Sequence, residues 1–502
     1  MMSYQSIAIH AATLRGIEAF PVECEISSSG GIPGISLTGL PDGAIRESRL
    51  RVRCALGNCG FKVPRVHFTV NLAPAELRKS GTGFDLPLAV GMLALTGQIP
   101  YEGIEGCLFV GELGLEGSVN SVRGMVAYHS LARRLGLRLV CAVDSEMGLV
   151  DGAHCVRIDS IAQMRLGLNR IGGADRAGNS SQLGFNTPLG TPDFSDVIDQ
   201  EGAKRALVIA ATGNHGLLMV GPPGAGKTML ARRLPGILPP LSGNEREEAM
   251  LVNSVAGQPV GDIARGVRPF RAPHHSVSMA GMVGGGRPVI PGEISLAHAG
   301  VLFLDELPEF ATNVLQALRQ PFEEHEVRLV RADGVYSFPC DFTFIAAANP
   351  CPCGHLGDDG HECRCSQSAI DAYQARIGGP LMDRIDMHIF VARPSSRRVI
   401  EGGSGLSSAD MREAVARGRE FASWRKARYG DCPADEAQVR RQNLDSDASL
   451  TLETLAKRFA MGGRAIVRVA SVARTIADLS EREFVSVDDI RESCSYRDRS
   501  GM

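Results

Sequence analysis

The chain has 502 residues, 44% of them apolar and 22% charged, a balance that excludes a largely disordered protein and leaves room for two to four domains. Lys and Arg total 53 against 56 Asp and Glu, so the net charge of -3 excludes a surface coated in basic residues, and any nucleic-acid contact must come from a local groove or loop. No apolar run is long enough to span a membrane and the start, MMSYQSIAIHAATLRGIEAF, lacks a cationic end leading into an apolar stretch, so a cytoplasmic protein without a secretory signal is expected.

Residues 1–168 read as one α/β unit, in which β-like runs such as Val66–Val70 and Cys107–Val110 alternate with helix-like runs such as Asp85–Leu95. Residues 169–192 are rich in Gly, Ser, Asn and Pro with no apolar period, which predicts a linker. A second α/β unit is expected over 193–395. Its strands Gly216–Val220, Val301–Leu304 and Phe342–Ala347 are short continuous apolar runs, the pattern of a parallel sheet buried on both faces. Residues 396–502 carry helical spacing instead, as at Leu452, Leu455 and Phe459. Its charges are mixed: 17 basic and 17 acidic side chains from 401 onward exclude a basic tail.

The chemistry concentrates in the second unit. Gly221, Pro222, Pro223, Gly224, Ala225, Gly226, Lys227 and Thr228 form G-x-x-x-x-G-K-T between a predicted strand and a helix-like MLARRL run. The glycines let successive N–H groups turn toward phosphate oxygens, Lys227 brings charge to the outer phosphates, and the Thr228 hydroxyl suits Mg2+. The run Val301–Leu304 ends in Asp305 and Glu306. Asp305 suits the Mg2+ shell, and Glu306 suits activation of a water for attack on the γ-phosphate of ATP. A third strand ends in Asn349, whose amide can orient that water without competing for its proton. Just beyond it, Cys351, Cys353, Cys363 and Cys365 form two C-x-C pairs with His355 and His361 between them. Four thiolates there would close a structural zinc site; the alternative is four reduced thiols in a loop.

In order, GPPGAGKT, PGEISLAHAGVLFLDELPEF, FIAAANPCPCG and GPLMDRIDMH resemble the AAA+ ATPases of the magnesium-chelatase-like group, and within it the ComM/YifB family. The segments GIPGISLTGLPDGAIRESRLRV and VNLAPAELRKSGTGFDLPLAVGML resemble that family's N-terminal domain, so the resemblance covers nearly the whole chain. It implies an N-terminal Lon-protease-like (S5-like) α/β domain over 1–168, a P-loop AAA+ domain over 193–395 with a Cys-rich insert at 351–365, and a helical lid over 396–502. It further implies that Asn349 is the sensor-1 residue, that Arg384 in LMDRID is an arginine finger reaching a neighbouring subunit's ATP, with Arg376 a second candidate, and that Arg464 is sensor 2 in the lid. Gly462 and Gly463 stand before Arg464 where the family more often has a Ser-Ala type pair.

Two segments fall where this group carries substrate-handling hairpins. One is the Gly-rich insert 269–293, which holds Arg287, His274 and His275; nothing in the spacing of the two histidines assigns them a role. The other is Val327–Phe338, read as a hairpin turning at Asp333-Gly334 and carrying Arg328 and Arg331. Repeated around a ring, these arginines would form a collar able to track a phosphate backbone.

The Lon resemblance does not extend to proteolysis. Residues 1–200 hold only Lys62 and Lys79, the segment aligned with the nucleophile turn reads SGTGFDLPLA, and the segment where a base belongs, SVRGMVAYHSLARRLG, has no Lys. The expected function is therefore an ATP-hydrolysing ring motor, a hexamer acting on single-stranded or branched DNA, with the family's helicase and branch-migration activity during integration of transforming DNA. The alternative is a chelatase-like or chaperone-like ATPase that remodels a protein partner without nucleic acid.

Overall fold

The computed structural model describes residues 6–63, 65–144, 155–171, 192–332, 334–358, 360–377, 379–401, 405–429, 439 and 442–497. The segment read as a linker lies outside the described residues except for 169–171 and Pro192, as does Asp333 of the expected hairpin turn.

The first unit is built on a seven-stranded mixed sheet. Its order is Gly34–Thr38, His67–Ala73, Glu18–Ser29, Ser6–Arg15, Cys107–Phe109, Arg138–Ala142 and Cys155–Ile158. The long hairpin Ser6–Arg15/Glu18–Ser29 alternates buried and exposed side chains, so one face is committed to a core containing Ile9, Ile26, Phe68 and Val70. The helix Asp85–Leu95 lies over that face. It is apolar all round and buried along nearly its whole length, as a helix inside a core must be. Its one acid, Asp85, is fully buried and accepts from Arg51 Nε at 2.7 Å and Nη2 at 3.0 Å, which satisfies its charge.

The second unit carries a five-stranded parallel sheet in the order Phe270–Arg271, Val301–Leu304, Thr343–Ala348, Leu217–Val220, Met387–Phe390. Every side chain of the three central strands is buried, which is why they read as unbroken apolar runs. Val301–Leu304 has the expected bounds; the other two begin one residue late, at Leu217 and Thr343. At Gly216 the backbone N–H is taken by the Asp386 carboxylate, at 3.3 Å, so the ladder starts after it.

The insert 269–293 contains a short helix, Met279–Val283, and a small antiparallel pair, Gly284–Gly285 with Ile290–Pro291. The second predicted hairpin pairs Glu326–Arg331 with Gly334–Pro339. The C-terminal part is helical. Ser408–Tyr429 and Gly463–Leu479 pack on each other and on Glu201–Gly213, and Ser446–Arg458 and Val487–Ser495 complete a separate apolar cluster around Leu452, Val469 and Ile490. The predicted spacing through Phe459 overshoots by one residue, since Phe459 caps its helix and stands partly exposed. Among the described residues no helix is long and apolar enough to cross a membrane.

Candidate nucleotide-binding site

Parallel strands place their C-terminal ends on one edge, and three of the predicted site segments leave the sheet there. Val220 pairs with Ala348 and Leu304 with Ala346, so the loop 221–226, the Asp305-Glu306 pair and Asn349 emerge side by side. The loop curls back with Gly224 at φ +80° and Gly226 at φ +91°, a conformation open to glycine, and the helix Lys227–Arg233 starts directly after it.

Four of these side chains meet in two pairs, Lys227 with Asn349 and Thr228 with Asp305. Lys227 Nζ donates to the Gly221 carbonyl at 2.5 Å, to the Pro222 carbonyl at 3.1 Å and to Asn349 Oδ1 at 3.2 Å. Burial pushes its pKa down, against the pull of Asp305 and Glu306. Its ammonium thus rests on neutral carbonyl oxygens, weak partners that an anionic phosphate can displace. Thr228 Oγ1 donates to Asp305 Oδ2 at 2.6 Å. A hydroxyl beside a carboxylate is a hard-oxygen pair, the donor set that fits Mg2+ held mainly by phosphates and water. Glu306 turns in the left-handed region, φ +52° and ψ 48°, and its side chain is half-exposed. Its Oε2 lies 3.4 Å from His275 Nδ1, across 31 residues of sequence.

The expected arginines, Arg384 with Arg376 as its second candidate and Arg464, have surroundings of their own. Arg384 is mostly buried and its guanidinium pairs with Glu323 of the same chain. Arg376 is exposed, with Nη1 3.4 Å from Glu309 Oε2. Arg464 is exposed in the first turn of Gly463–Leu479. One turn later, Arg468 pairs with Asp386, which also accepts from His215 Nδ1 at 3.1 Å and thereby ties the helix Gly463–Leu479 to the root of the Leu217–Val220 strand. Burial drives the Asp386 carboxyl up, but His215 and Arg468 outweigh it and hold the pKa below the usual value.

The four cysteines come together. Their Sγ atoms lie within 4.8 Å of one another, with Cys351 to Cys353 at 3.4 Å, Cys351 to Cys363 at 3.6 Å and Cys353 to Cys363 at 3.7 Å. Tetrahedral zinc with bonds of about 2.3 Å needs sulfurs about 3.8 Å apart, so the set fits that ion. His355 and His361 are not part of it. Each faces Asp358 Oδ2, at 3.2 and 3.4 Å. Arg393 Nη2 lies 3.2 Å from the same oxygen and donates to the Pro223 carbonyl at 3.1 Å, so the cysteine loop is strapped to the phosphate loop. Gly354 completes that contact, since a Cβ there would fall 2.7 Å from Pro223 Cδ. Sequence reasoning missed Arg393, Asp358 and Asp386: Asp358 lies within the Cys-rich insert and Asp386 within LMDRID, but nothing in either pattern marks the carboxylate, and Arg393 lies in no motif.

Arg287, Arg328 and Arg331 are all exposed. The Arg331 guanidinium packs beside Gly285, which brings the hairpin and the insert together, whereas Arg328 Nε is paired with Glu326 Oε2 at 2.7 Å.

A five-stranded parallel sheet bearing this loop, this hydroxyl–carboxylate pair and this amide on one edge defines a P-loop ATPase of the AAA+ class, for which ATP is the nucleotide and Mg2+ its ion. Three family descriptions match the chain in order: "Subunit ChlI of Mg-chelatase" over 22–144, "Magnesium chelatase, subunit ChlI" over 193–399 and "Magnesium chelatase, subunit ChlI C-terminal" over 405–497. The chain is 39% identical to competence protein ComM of Haemophilus influenzae, covering 97% of each. It is 37% identical to YifB of Escherichia coli, over 97% of this chain and 96% of that one, and 39% identical to a protein of Mycobacterium tuberculosis, covering 97% of each. The chain belongs to the ComM/YifB family of magnesium-chelatase-like AAA+ ATPases.

Proposed function

We propose that the protein is a ring-forming, ATP-driven motor acting on single-stranded or branched DNA, a helicase that promotes branch migration as transforming DNA is integrated. The observation that carries this reading is the convergence of Lys227, Thr228, Asp305 and Asn349 on one sheet edge, in a chain alike from end to end to a relative named as a competence protein.

In the proposed cycle the 221–228 loop cradles the phosphates, and Lys227 exchanges its carbonyl contacts for phosphate oxygens. Thr228 and Asp305 hold the ion, which when bound neutralises charge on the β- and γ-phosphates. Glu306 takes the proton of the attacking water. The water oxygen bonds to the γ-phosphorus as the bond to the β–γ bridging oxygen breaks, yielding ADP and inorganic phosphate, while Asn349 orients that water. Arg464 acts in cis from the lid. Arg384 leaves Glu323 to act in trans on the neighbouring subunit's ATP, tying turnover to assembly of a hexamer. Arg287, Arg328 and Arg331 contact the DNA backbone. Residues 1–168 serve as a Lon-protease-like scaffold without a Ser/Lys dyad, 396–502 as the lid, and Cys351, Cys353, Cys363 and Cys365 hold a structural zinc.

The test is the ATPase rate without DNA, with single strands and with branched DNA. The rate rises with DNA, and Glu306→Gln keeps ATP binding but loses turnover by about 10²–10⁴-fold. Equal rates with every DNA form would support remodelling of a protein partner instead. Undiminished hydrolysis in the Gln variant would remove Glu306 from the mechanism.

A further inference from the structure

At the edge of the parallel sheet opposite the nucleotide site lies a polar cavity of about 520 Å³. Thr343, the first residue of its strand, lines the cavity, whereas Asn349 follows the last. At about 3.3 Å per residue the two edges stand roughly 20 Å apart, so the cavity is no part of the phosphate loop. Its walls come from Asn214 ahead of the Leu217–Val220 strand, Arg268 ahead of Phe270–Arg271, Arg419 and Lys426 on the helix Ser408–Tyr429, and Arg474 on Gly463–Leu479.

Positive charge is in excess there. Five cationic side chains, Arg268, Arg419, Arg425, Lys426 and Arg474, line the cavity against three carboxylates, Glu245, Asp341 and Asp478. Glu245 is taken by Arg268, at 3.1 Å to each of two nitrogens. Asp478 is shared by two guanidiniums, accepting from Arg425 at 2.9 and 3.0 Å and lying 3.1 Å from Arg474 Nη2. Asp341 accepts from the Asn214 amide at 3.2 Å and faces His325 Nδ1 at 3.4 Å. Arg419 has no carboxylate partner among the described residues: its Nε and Nη2 both donate to the Ala211 carbonyl, at 3.1 and 2.6 Å. That carbonyl ends the helix Glu201–Gly213 and carries only a fraction of a charge. Lys426, two turns further along the same helix face, is exposed and likewise has no carboxylate partner among the described residues. Buried Arg474 keeps an Nε with no hydrogen-bond partner. Burial, helped by repulsion from Arg268, brings the Arg419 pKa down to about 10, as expected of a cation held without its counter-ion.

We propose that this cavity is a second ligand site, which takes a phosphate-bearing anion between Arg419 and Lys426. A buried cation is costly until an anion joins it. The excess is two charges, and a phosphate group carries about -1.5 to -2 near pH 7, so it balances what a single carboxylate would leave half open. Arg419 offers a planar fork to two phosphate oxygens and Lys426 a mobile point charge. The volume lies within the roughly 300–1,000 Å³ of small-molecule sites, which favours inorganic phosphate, pyrophosphate or the phosphate of a nucleotide over a nucleic-acid strand. Because the walls belong to the ATPase sheet and to two C-terminal helices, the anion fastens one to the other.

The experiment is equilibrium dialysis of labelled pyrophosphate against full-length Lys227→Ala, whose phosphate loop has lost its cation, alone and with Arg419→Gln, Arg419→Lys or Lys426→Ala added. One saturable pyrophosphate per chain is expected. Arg419→Gln weakens it by about tenfold or more, Arg419→Lys, which keeps the charge, by less, and Lys426→Ala by several-fold. Competition by orthophosphate and by AMP separates the two sources: displacement by either supports the site and the tighter competitor names the source, whereas displacement by neither overturns the phosphate class. No saturable binding would mean that the charge is balanced within the chain, and overturns the proposal. Binding left untouched by all three added changes would place the anion in the phosphate loop, and overturns it equally. Should Arg419→Gln fail to fold, Lys426→Ala, at an exposed position, decides alone.

Discussion

Replacement of Asp386 by Ala tests how the C-terminal helices, the proposed lid, are attached. Asp386 sits at the root of the Met387–Phe390 strand and accepts from His215 Nδ1 at 3.1 Å and from the Gly216 N–H at 3.3 Å, besides pairing with Arg468 of the lid helix. The His215 side chain is 5% exposed and that of Asp386 14%, so their charges and donors have little water to fall back on. Removing one partner of a buried pair costs about 3–5 kcal/mol. Arg468 is 27% exposed and recovers part of its hydration, which places the expected loss near the lower end, at about 3 kcal/mol. Trp424 is the chain's single tryptophan, stands on the lid helix Ser408–Tyr429 and packs against Phe421 at 5.2 Å, so its fluorescence reports the lid during urea unfolding. Asp386→Ala lowers the free energy of that transition by about 3 kcal/mol, and Asp386→Asn, which keeps an acceptor, by less. A loss under about 1 kcal/mol for the Ala variant, or equal losses for both, would refute a buried tether at this point.

Three further outcomes are expected. Asp193 accepts from Ser195 and from Ser408 at the start of the lid helix. Burial raises its pKa, but these bonds bring it down to about 2, so its contribution to stability is whole above pH ~4 and is lost as the pH falls through about 2; in Asp193→Asn the acid limb of a stability–pH curve flattens over that window. Metal analysis of the purified chain finds one zinc per chain, and Cys363→Ser lowers that content while loosening the loop against Pro223, read as faster proteolysis near 354–365. Arg384→Ala abolishes hydrolysis, and mixing it with a Lys227→Ala variant, which binds no ATP but still supplies Arg384, restores part of the rate; no loss in the single variant would exclude the trans role.

The phosphate loop was legible because its chemistry is local: the backbone curl needs glycine at fixed offsets, and the following Lys and Thr must begin a helix. Asp305 and Asn349 were legible because a strand buried on both faces is an unbroken apolar run, and a polar residue at its end has to leave the sheet. The contacts that organise the site around them join residues far apart in the chain. His275 meets Glu306 across 31 residues, Arg393 meets Pro223 across 170 and Arg468 meets Asp386 across 82. Each is a single side chain without a partner at a repeating offset, so only the tertiary approach reveals it. Arg384 shows the converse. Its motif is plain in the sequence, yet its present partner, Glu323, lies in a helix that no motif marks.

The join between the first unit and the ATPase unit bears on how a hairpin can work. The two exchange apolar residues: Val126 of the first is buried in a cluster with Leu241, Met250 and Ile263 of the second, and Val255 of the second is buried among Leu108, Tyr128 and Leu139 of the first. Full burial of such side chains contributes roughly 1.5–3 kcal/mol each, and the Gly124 N–H also donates to the Ser254 carbonyl at 2.9 Å. At a second point, Ile17 packs on the cluster that holds Val327 and Phe338, and the Arg15 guanidinium lies 5.9 Å over the Tyr336 ring. The hairpin Glu326–Arg331/Gly334–Pro339 is therefore held by both units: Val327 and Phe338 are buried at its base, and near its turn Arg15 lies over Tyr336 and against Gly334, while Val330, Arg331 and Val335 stay exposed. Motion at the nucleotide edge of the sheet thus reaches the arginine-bearing end only if the first unit moves with it or its grip on Tyr336 and Ile17 is broken, which makes that unit a mechanical part of the ATPase and not an appended one.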